Sequence, residues 1–159
     1  MINYLKGDIL KCVTEGIIVH GVNCQGVMNS GVAKVIRAKY PGVFDQYVED
    51  IENGCSLGDV SYFLAKDGKL NTDCLLIASA FTQEFYGREK GKVYVSYVDV
   101  YDALNAIFRF ASVEDIKTVS MPLIGAGLGG ASWDIIQAII RATAEDNNYP
   151  LDQIFVYEL

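Results

Sequence analysis

With 159 residues, 51% of them hydrophobic, the chain can build one domain with a full core and is short for two, so a single domain over 1–159 is expected. Its formal net charge of −7 excludes the extended basic surface that sequence-independent nucleic-acid binding requires. No apolar run approaches the ~18 residues of a membrane span and no leader pattern opens the chain, which excludes a membrane protein and points to a reduced, cytoplasmic compartment.

Ile2, Asn3, Tyr4 and Leu5 alternate as a short strand does, and Lys6-Gly7-Asp8 breaks it. Residues 16–22 form a β-branched run with little alternation, which predicts a central strand buried on both faces. That strand delivers Asn23-Cys24-Gln25-Gly26 into a loop. Val32, Val35, Ile36 and Tyr40 have helical spacing up to Pro41, and Val43, Phe44, Tyr47, Val48 and Ile51 repeat it, predicting two successive helices.

Two apolar runs, 60–64 and 74–78, flank Asp67-Gly68 and predict an antiparallel hairpin. Residues 82–92, with Glu84, Arg88, Glu89 and Lys90, lack periodicity and predict an exposed loop. A third helix follows on Val100, Leu104, Ile107, Phe108 and Ala111, then a strand over 117–121, a fourth helix on Trp133, Ile136, Ile139 and Ile140, and a closing strand over 153–157. Strands alternating with helices, plus one hairpin, give a three-layer α/β/α domain around a mixed, mostly parallel sheet. Ligands bind such sheets at the carboxyl ends of the strands.

The stretch Pro122-Leu123-Ile124-Gly125-Ala126-Gly127-Leu128-Gly129-Gly130 carries four glycines in six residues between a strand and a helix. Such a loop either offers backbone N–H groups to an anion or serves as a tight connection. Gly125, Gly127 and Gly130 fit a dinucleotide fingerprint, but the chain supplies one strand afterwards and not the further βα units of that site. Gly26 and Gly31 have Walker spacing, yet Val32-Ala33 stands where Lys-[Ser/Thr] would contact phosphates. Two glycine-bearing loops, 25–31 and 125–130, remain as a pair suited to a diphosphate.

Asn29 tolerates the left-handed region where glycine is often used. Asn23 suits a sugar diol or an Asx turn, and Asp8 suits an exocyclic amine or a helix cap. His20, the only histidine, is either a core residue or an acid–base group at the end of its strand. Asp134 is a helix-dipole partner or orients water, and Tyr157 and Phe81 are stacking or core aromatics. Cys12, Cys24, Cys55 and Cys74 contain no C-x-x-C pair, so neither a metal cluster nor any cofactor is expected.

These residues resemble the macro domains, a family that binds ADP-ribose, nearly end to end. Tyr4-Leu5-Lys6-Gly7-Asp8-Ile9-Leu10 is similar to the family's first strand and adenine-contacting acidic residue. Ile18-Val19-His20-Gly21-Val22-Asn23-Cys24-Gln25-Gly26 with Ser30-Gly31-Val32-Ala33 resembles its first ligand loop, and 121–130 its phosphate-cradling second loop. The stretch at 20–25, Leu76-Ile77 leading to Phe81-Thr82, and Phe155-Val156-Tyr157-Glu158-Leu159 look most like the ADP-ribose 1''-phosphate phosphatase branch, which uses a histidine at the place of His20.

The resemblance implies a central sheet of about six strands and ADP-ribose or ADP-ribose 1''-phosphate as the ligand of a monomeric protein. It places Asp8 and Ile9 at the adenine with Tyr157 near that end, and Asn23 at the distal ribose. The diphosphate falls to Gln25, Asn29, Ser30, Gly31 and Val32 of one loop and Ile124, Gly125, Ala126, Gly127, Leu128 and Gly129 of the other. The implied activity is hydrolysis of the terminal phosphate monoester, with His20 and Asp134 handling protons. Alternatives are a non-catalytic ADP-ribose reader and an ADP-ribosyl hydrolase acting on protein or nucleic acid. The lysine-dependent deglycosylating branch has a lysine and an aspartate where Ser79 and Gly129 stand here.

Overall fold

A computed structural model describes residues 1–68, 73–126 and 129–159. Strands β1 (Asn3–Lys6), β2 (Gly16–Asn23), β3 (Val60–Lys66), β4 (Leu75–Gln83), β5 (Val119–Pro122) and β6 (Ile154–Glu158) form one sheet in the order β1-β6-β5-β2-β4-β3. All neighbouring pairs are parallel except β3 with β4, the antiparallel pairing that the turn chemistry at Asp67-Gly68 predicts. The sheet therefore sends the carboxyl ends of five strands to one edge, with the antiparallel strand at the border.

The α-helices among the described residues are α1 (Ile9–Cys12), α2 (Gly31–Lys39), α3 (Pro41–Glu52), α4 (Tyr97–Val113) and α5 (Trp133–Asp146). Period-two alternation in β2 and β4 splits the core in two. Ile17, Val19, Leu76, Ala78 and Ala80 face α4 and α5 through Leu104, Ile107, Phe108, Ile136 and Ile140. Ile18, Val22, Ile77 and Phe81 face the other side, where Ile9, Ile36, Val43 and Tyr47 cover them. Strands buried on both faces need no polar side, which is why 16–22 reads as an unbroken apolar run. Tyr40 caps the end of α2, and Pro41 starts α3 at the first helical position, where a missing N–H costs nothing. Among the described residues no helix is long and apolar enough to cross a membrane.

The structure departs from the expected elements in three places. α1 is a single turn too short to show periodicity. α4 begins at Tyr97, ahead of its first apolar repeat. β4 runs on to Gln83 because pairing with β2 resumes beyond Thr82: Val22 pairs with Phe81 and Asn23 with Gln83, so Thr82 forms an unpaired bulge and is buried. The exposed loop accordingly begins at Glu84 and not at Thr82.

Candidate functional site

A cavity of about 450 Å³ opens at the carboxyl edge of the sheet. Its walls come from 20–23 and 27–33 after β2, from 82–83 and 86–88 after β4, and from 122–126 and 129 after β5. β2 lies between β5 and β4 in the sheet, so the three loops converge although they are up to about a hundred residues apart in sequence.

The loop after β2 is organised by one buried side chain. Tyr47, fully buried on α3, accepts hydrogen bonds from Gly26 N (3.1 Å) and Val27 N (3.2 Å). Its hydroxyl proton is shared between Asn23 O at 2.7 Å and Asn23 Oδ1 at 2.9 Å. Burial pushes the phenol up to about 12, so it remains a donor. Asn23 Oδ1 also accepts from Gln25 N at 2.9 Å, while its amide donates to Val27 O at 2.9 Å. That is the Asx turn.

With the N–H groups of 24–27 consumed by Glu84 O, Asn23 and Tyr47, the free donors lie further on. Gly31, Val32 and Ala33 occupy the first turn of α2, where no preceding carbonyl reaches them, and Ser30 at the N-cap makes no side-chain bond to them. These unpaired N–H groups and the positive end of the helix dipole lie in the cavity wall, an arrangement whose chemistry suits an anion. Asn29 adds a side-chain donor: Arg37 Nη1 holds its Oδ1 at 3.1 Å, leaving the NH₂ end for a ligand.

The loop after β5 turns tightly, with Ile124 N donating to Pro122 O at 2.8 Å and Ala126 N to Leu123 O at 3.2 Å. Ala131 N closes back onto Gly125 O at 2.8 Å. Gly130 has a different role from an anion cradle. At φ 73° it lies where an added Cβ would stand 2.4 Å from Lys92 O, so glycine admits the 92–95 segment. Tyr94 N (2.9 Å) and Val95 N (3.3 Å) both donate to Gly129 O, which ties that segment to the second loop.

His20 lies in the cavity wall at 1% exposure. Register places it beside Ser79 of β4, and its Nε2 shares a 2.7 Å hydrogen bond with Ser79 Oγ. Its Nδ1 is buried with no partner among the described residues. Desolvation pushes the imidazole down to about 4, so the ring is neutral at physiological pH.

Of the residues expected at the site, His20, Asn23, Asn29, Ser30, Gly31, Val32, Ile124, Gly125, Ala126 and Gly129 line this cavity; Gly127 and Leu128 lie outside the described residues. Gln25 turns away, donating Nε2 to Glu84 O at 3.1 Å. Asp8 caps α1, accepting Leu10 N at 3.0 Å, and Ile9 is core. Tyr157 packs half-buried against the same cluster as Ile9, and Gly7 N bonds Glu158 O at 2.8 Å. These three thus sit together at the ends of β1 and β6, along the same edge but outside the cavity wall. Asp134 is exposed in the first turn of α5 and does not line the cavity, so the dipole is what its position serves. Sequence reasoning missed Thr82, Tyr86, Gly87, Arg88 and the buried Tyr47; a tyrosine at helical core spacing gives no sign of the loop its hydroxyl will meet.

Comparison with known proteins gives a consistent result. The chain matches the family described as "Macro domain" over residues 19–140. The DNA ADP-ribosyl glycohydrolase of Mycobacterium tuberculosis is 32% identical over 146 residues, covering 89% of this chain and 38% of that protein. The chain thus spans well under half the length of that relative. An ADP-ribose 1''-phosphate phosphatase of Meyerozyma guilliermondii is 25% identical, covering 88% of this chain and 92% of that one. Among solved structures, the macrodomain of Mycobacterium tuberculosis DarG superposes with a TM-score of 0.81 at 22% identity, covering 100% and 98% of the two chains.

Proposed function

Because this chain belongs to the macro domain family, we propose that its cavity binds ADP-ribose and that the protein hydrolyses ADP-ribose 1''-phosphate to ADP-ribose and inorganic phosphate. The observation that carries the catalytic part is His20: a buried, neutral imidazole in the cavity wall that the loops after β2 and β5 share, with one nitrogen anchored on Ser79 and the other without a partner among the described residues.

The diphosphate sits against the first turn of α2, where the N–H groups of 31–33 have no internal acceptor, and against the loop after β5. Asn29 donates from its free amide end. Asp8, Ile9 and Tyr157 hold the adenine end further along the strand edge. At the reacting end, water attacks phosphorus and the bond to the 1'' oxygen breaks; the proton that His20 takes from the water passes from the imidazolium to that leaving oxygen, which departs as the hydroxyl of ADP-ribose. With Nε2–H donating to Ser79, Nδ1 is an acceptor and takes the proton from the attacking water. A phosphate dianion beside the ring raises its basicity above the ligand-free value, since an opposite charge favours imidazolium.

Phosphate release from ADP-ribose 1''-phosphate, measured for the parent and His20→Ala with ADP-ribose affinity determined for both, is the test. The expected outcome is retained affinity with release slowed about 10²-fold or more, the usual worth of an acid–base group. ADP-ribose binding without phosphate release by the parent makes the protein a reader. A second reading is supported by the 32% identical relative named DNA ADP-ribosyl glycohydrolase: cleavage of an ADP-ribosyl link to nucleic acid. Release of ADP-ribose from an ADP-ribosylated oligonucleotide, with none of phosphate from the monoester, decides for it.

A further inference from the structure

Substrate and product of the proposed reaction share everything except one terminal phosphate, yet the donors so far named are uncharged N–H groups that serve the common diphosphate. Arg88 is the one lysine or arginine among the residues that line the cavity. It is exposed and makes no hydrogen bond or ion pair with any described residue; the neighbouring charges pair with each other, Glu89 with Lys92 at 3.9 Å.

The backbone that presents Arg88 is nonetheless fixed on both sides by one residue. Gly87 lies against Tyr94 so closely that a Cβ would stand 2.3 Å from the hydroxyl, and Glu89 N donates to the same hydroxyl at 3.1 Å. Tyr94 is in turn tied to the second glycine loop through Gly129 O at 2.9 Å. An unpaired guanidinium on a clamped backbone at the cavity wall keeps its full donor set for a ligand, and its planar fork matches a phosphate in a bidentate pair.

We propose that Arg88 is the specificity residue for the terminal phosphate: it distinguishes ADP-ribose 1''-phosphate from ADP-ribose, and Tyr94 is the positioning residue that presents it. This rests on the reading that the phosphorylated ligand is the substrate. The charged bidentate pair forms with the substrate alone, because the product lacks the terminal phosphate.

The experiment is calorimetric binding of ADP-ribose 1''-phosphate and of ADP-ribose to His20→Ala protein, in which turnover is slowed, alone and combined with Arg88→Ala, Arg88→Lys or Tyr94→Phe, with phosphate release during the titration measured alongside. The His20→Ala protein is expected to prefer the phosphorylated ligand about tenfold or more, as charged hydrogen bonds do. Arg88→Ala removes that preference while ADP-ribose affinity stays within about twofold, Arg88→Lys restores part of it, and Tyr94→Phe reduces it. Absence of any preference before Arg88 is changed, or a preference that survives Arg88→Ala, overturns the assignment. Phosphate release by the parent is read separately, so failure of the catalytic reading leaves this comparison intact.

Discussion

Replacing Tyr47 by phenylalanine tests whether the first ligand loop depends on one buried hydroxyl. Phenylalanine keeps the ring stacked on Phe81, whose centroid lies 5.6 Å away, and keeps the contact with Phe44, so the change isolates the oxygen. Lost are the two bonds accepted from Gly26 N and Val27 N and the one donated to Asn23. At about 1 kcal/mol for each net hydrogen bond, and with Gly26 and Val27 half-buried so that water reaches them, the expected cost is about 2–3 kcal/mol. For a chain of 159 residues that lowers the melting temperature by about 4–12 °C. Asn23 would lose a partner that fixes its turn, the loop would no longer enter α2 at a single angle, and ADP-ribose affinity should fall about tenfold. Urea unfolding gives the stability and calorimetry the affinity. An unchanged urea midpoint together with an unchanged dissociation constant would refute the role given to Tyr47.

Two further outcomes follow from the site. His20 has its pKa lowered from 6.5 to about 4, so between those values the unfolded chain takes up a proton that the folded one refuses. Its contribution is whole above pH 6.5 and is lost as pH falls, by about 2 kcal/mol between pH 7 and 5. The parent's urea stability minus that of His20→Leu should fall by that amount from pH 7 to 5, and a difference that does not change with pH contradicts the buried neutral imidazole. Gly130→Ala places a methyl against Lys92 O at a positive φ, at a cost of about 1–3 kcal/mol. Amide exchange at Tyr94 and Val95 should quicken in that variant, and protection equal to the parent's would show that the 92–95 segment does not depend on Gly130.

Much of the site was legible because its main parts are local. Glycine spacing, a strand end and a helix start lie close together at 20–33 and again at 119–133, so the two glycine-bearing loops that line the cavity could be read from the chain. The resemblance to macro domains drew on the same stretches. Asn23 shows where local reading stops: a diol ligand and an Asx turn look identical in sequence, and the turn formed because Gln25 N lies two residues away while Tyr47 arrives from α3. Thr82 was read as loop because polar residues follow it, but β2 pairs with Gln83 beyond it, so the strand continues past Thr82 as a bulge.

By itself the sequence determined the order of elements, the mixed sheet and the two glycine loops, since these depend on side-chain periods of two and 3.6 and on backbone freedom at a few positions. Only the tertiary structure decided which donors remain free, because that depends on partners far away in the chain: Tyr47 consumes the N–H groups of 26–27 and leaves those of 31–33. Sheet order likewise decided that His20 meets Ser79, 59 residues on. Packing of 92–95 on Gly129 and Gly130 set Arg88 at the cavity. Burial and register act between strands, and neither is written in the spacing of residues along one.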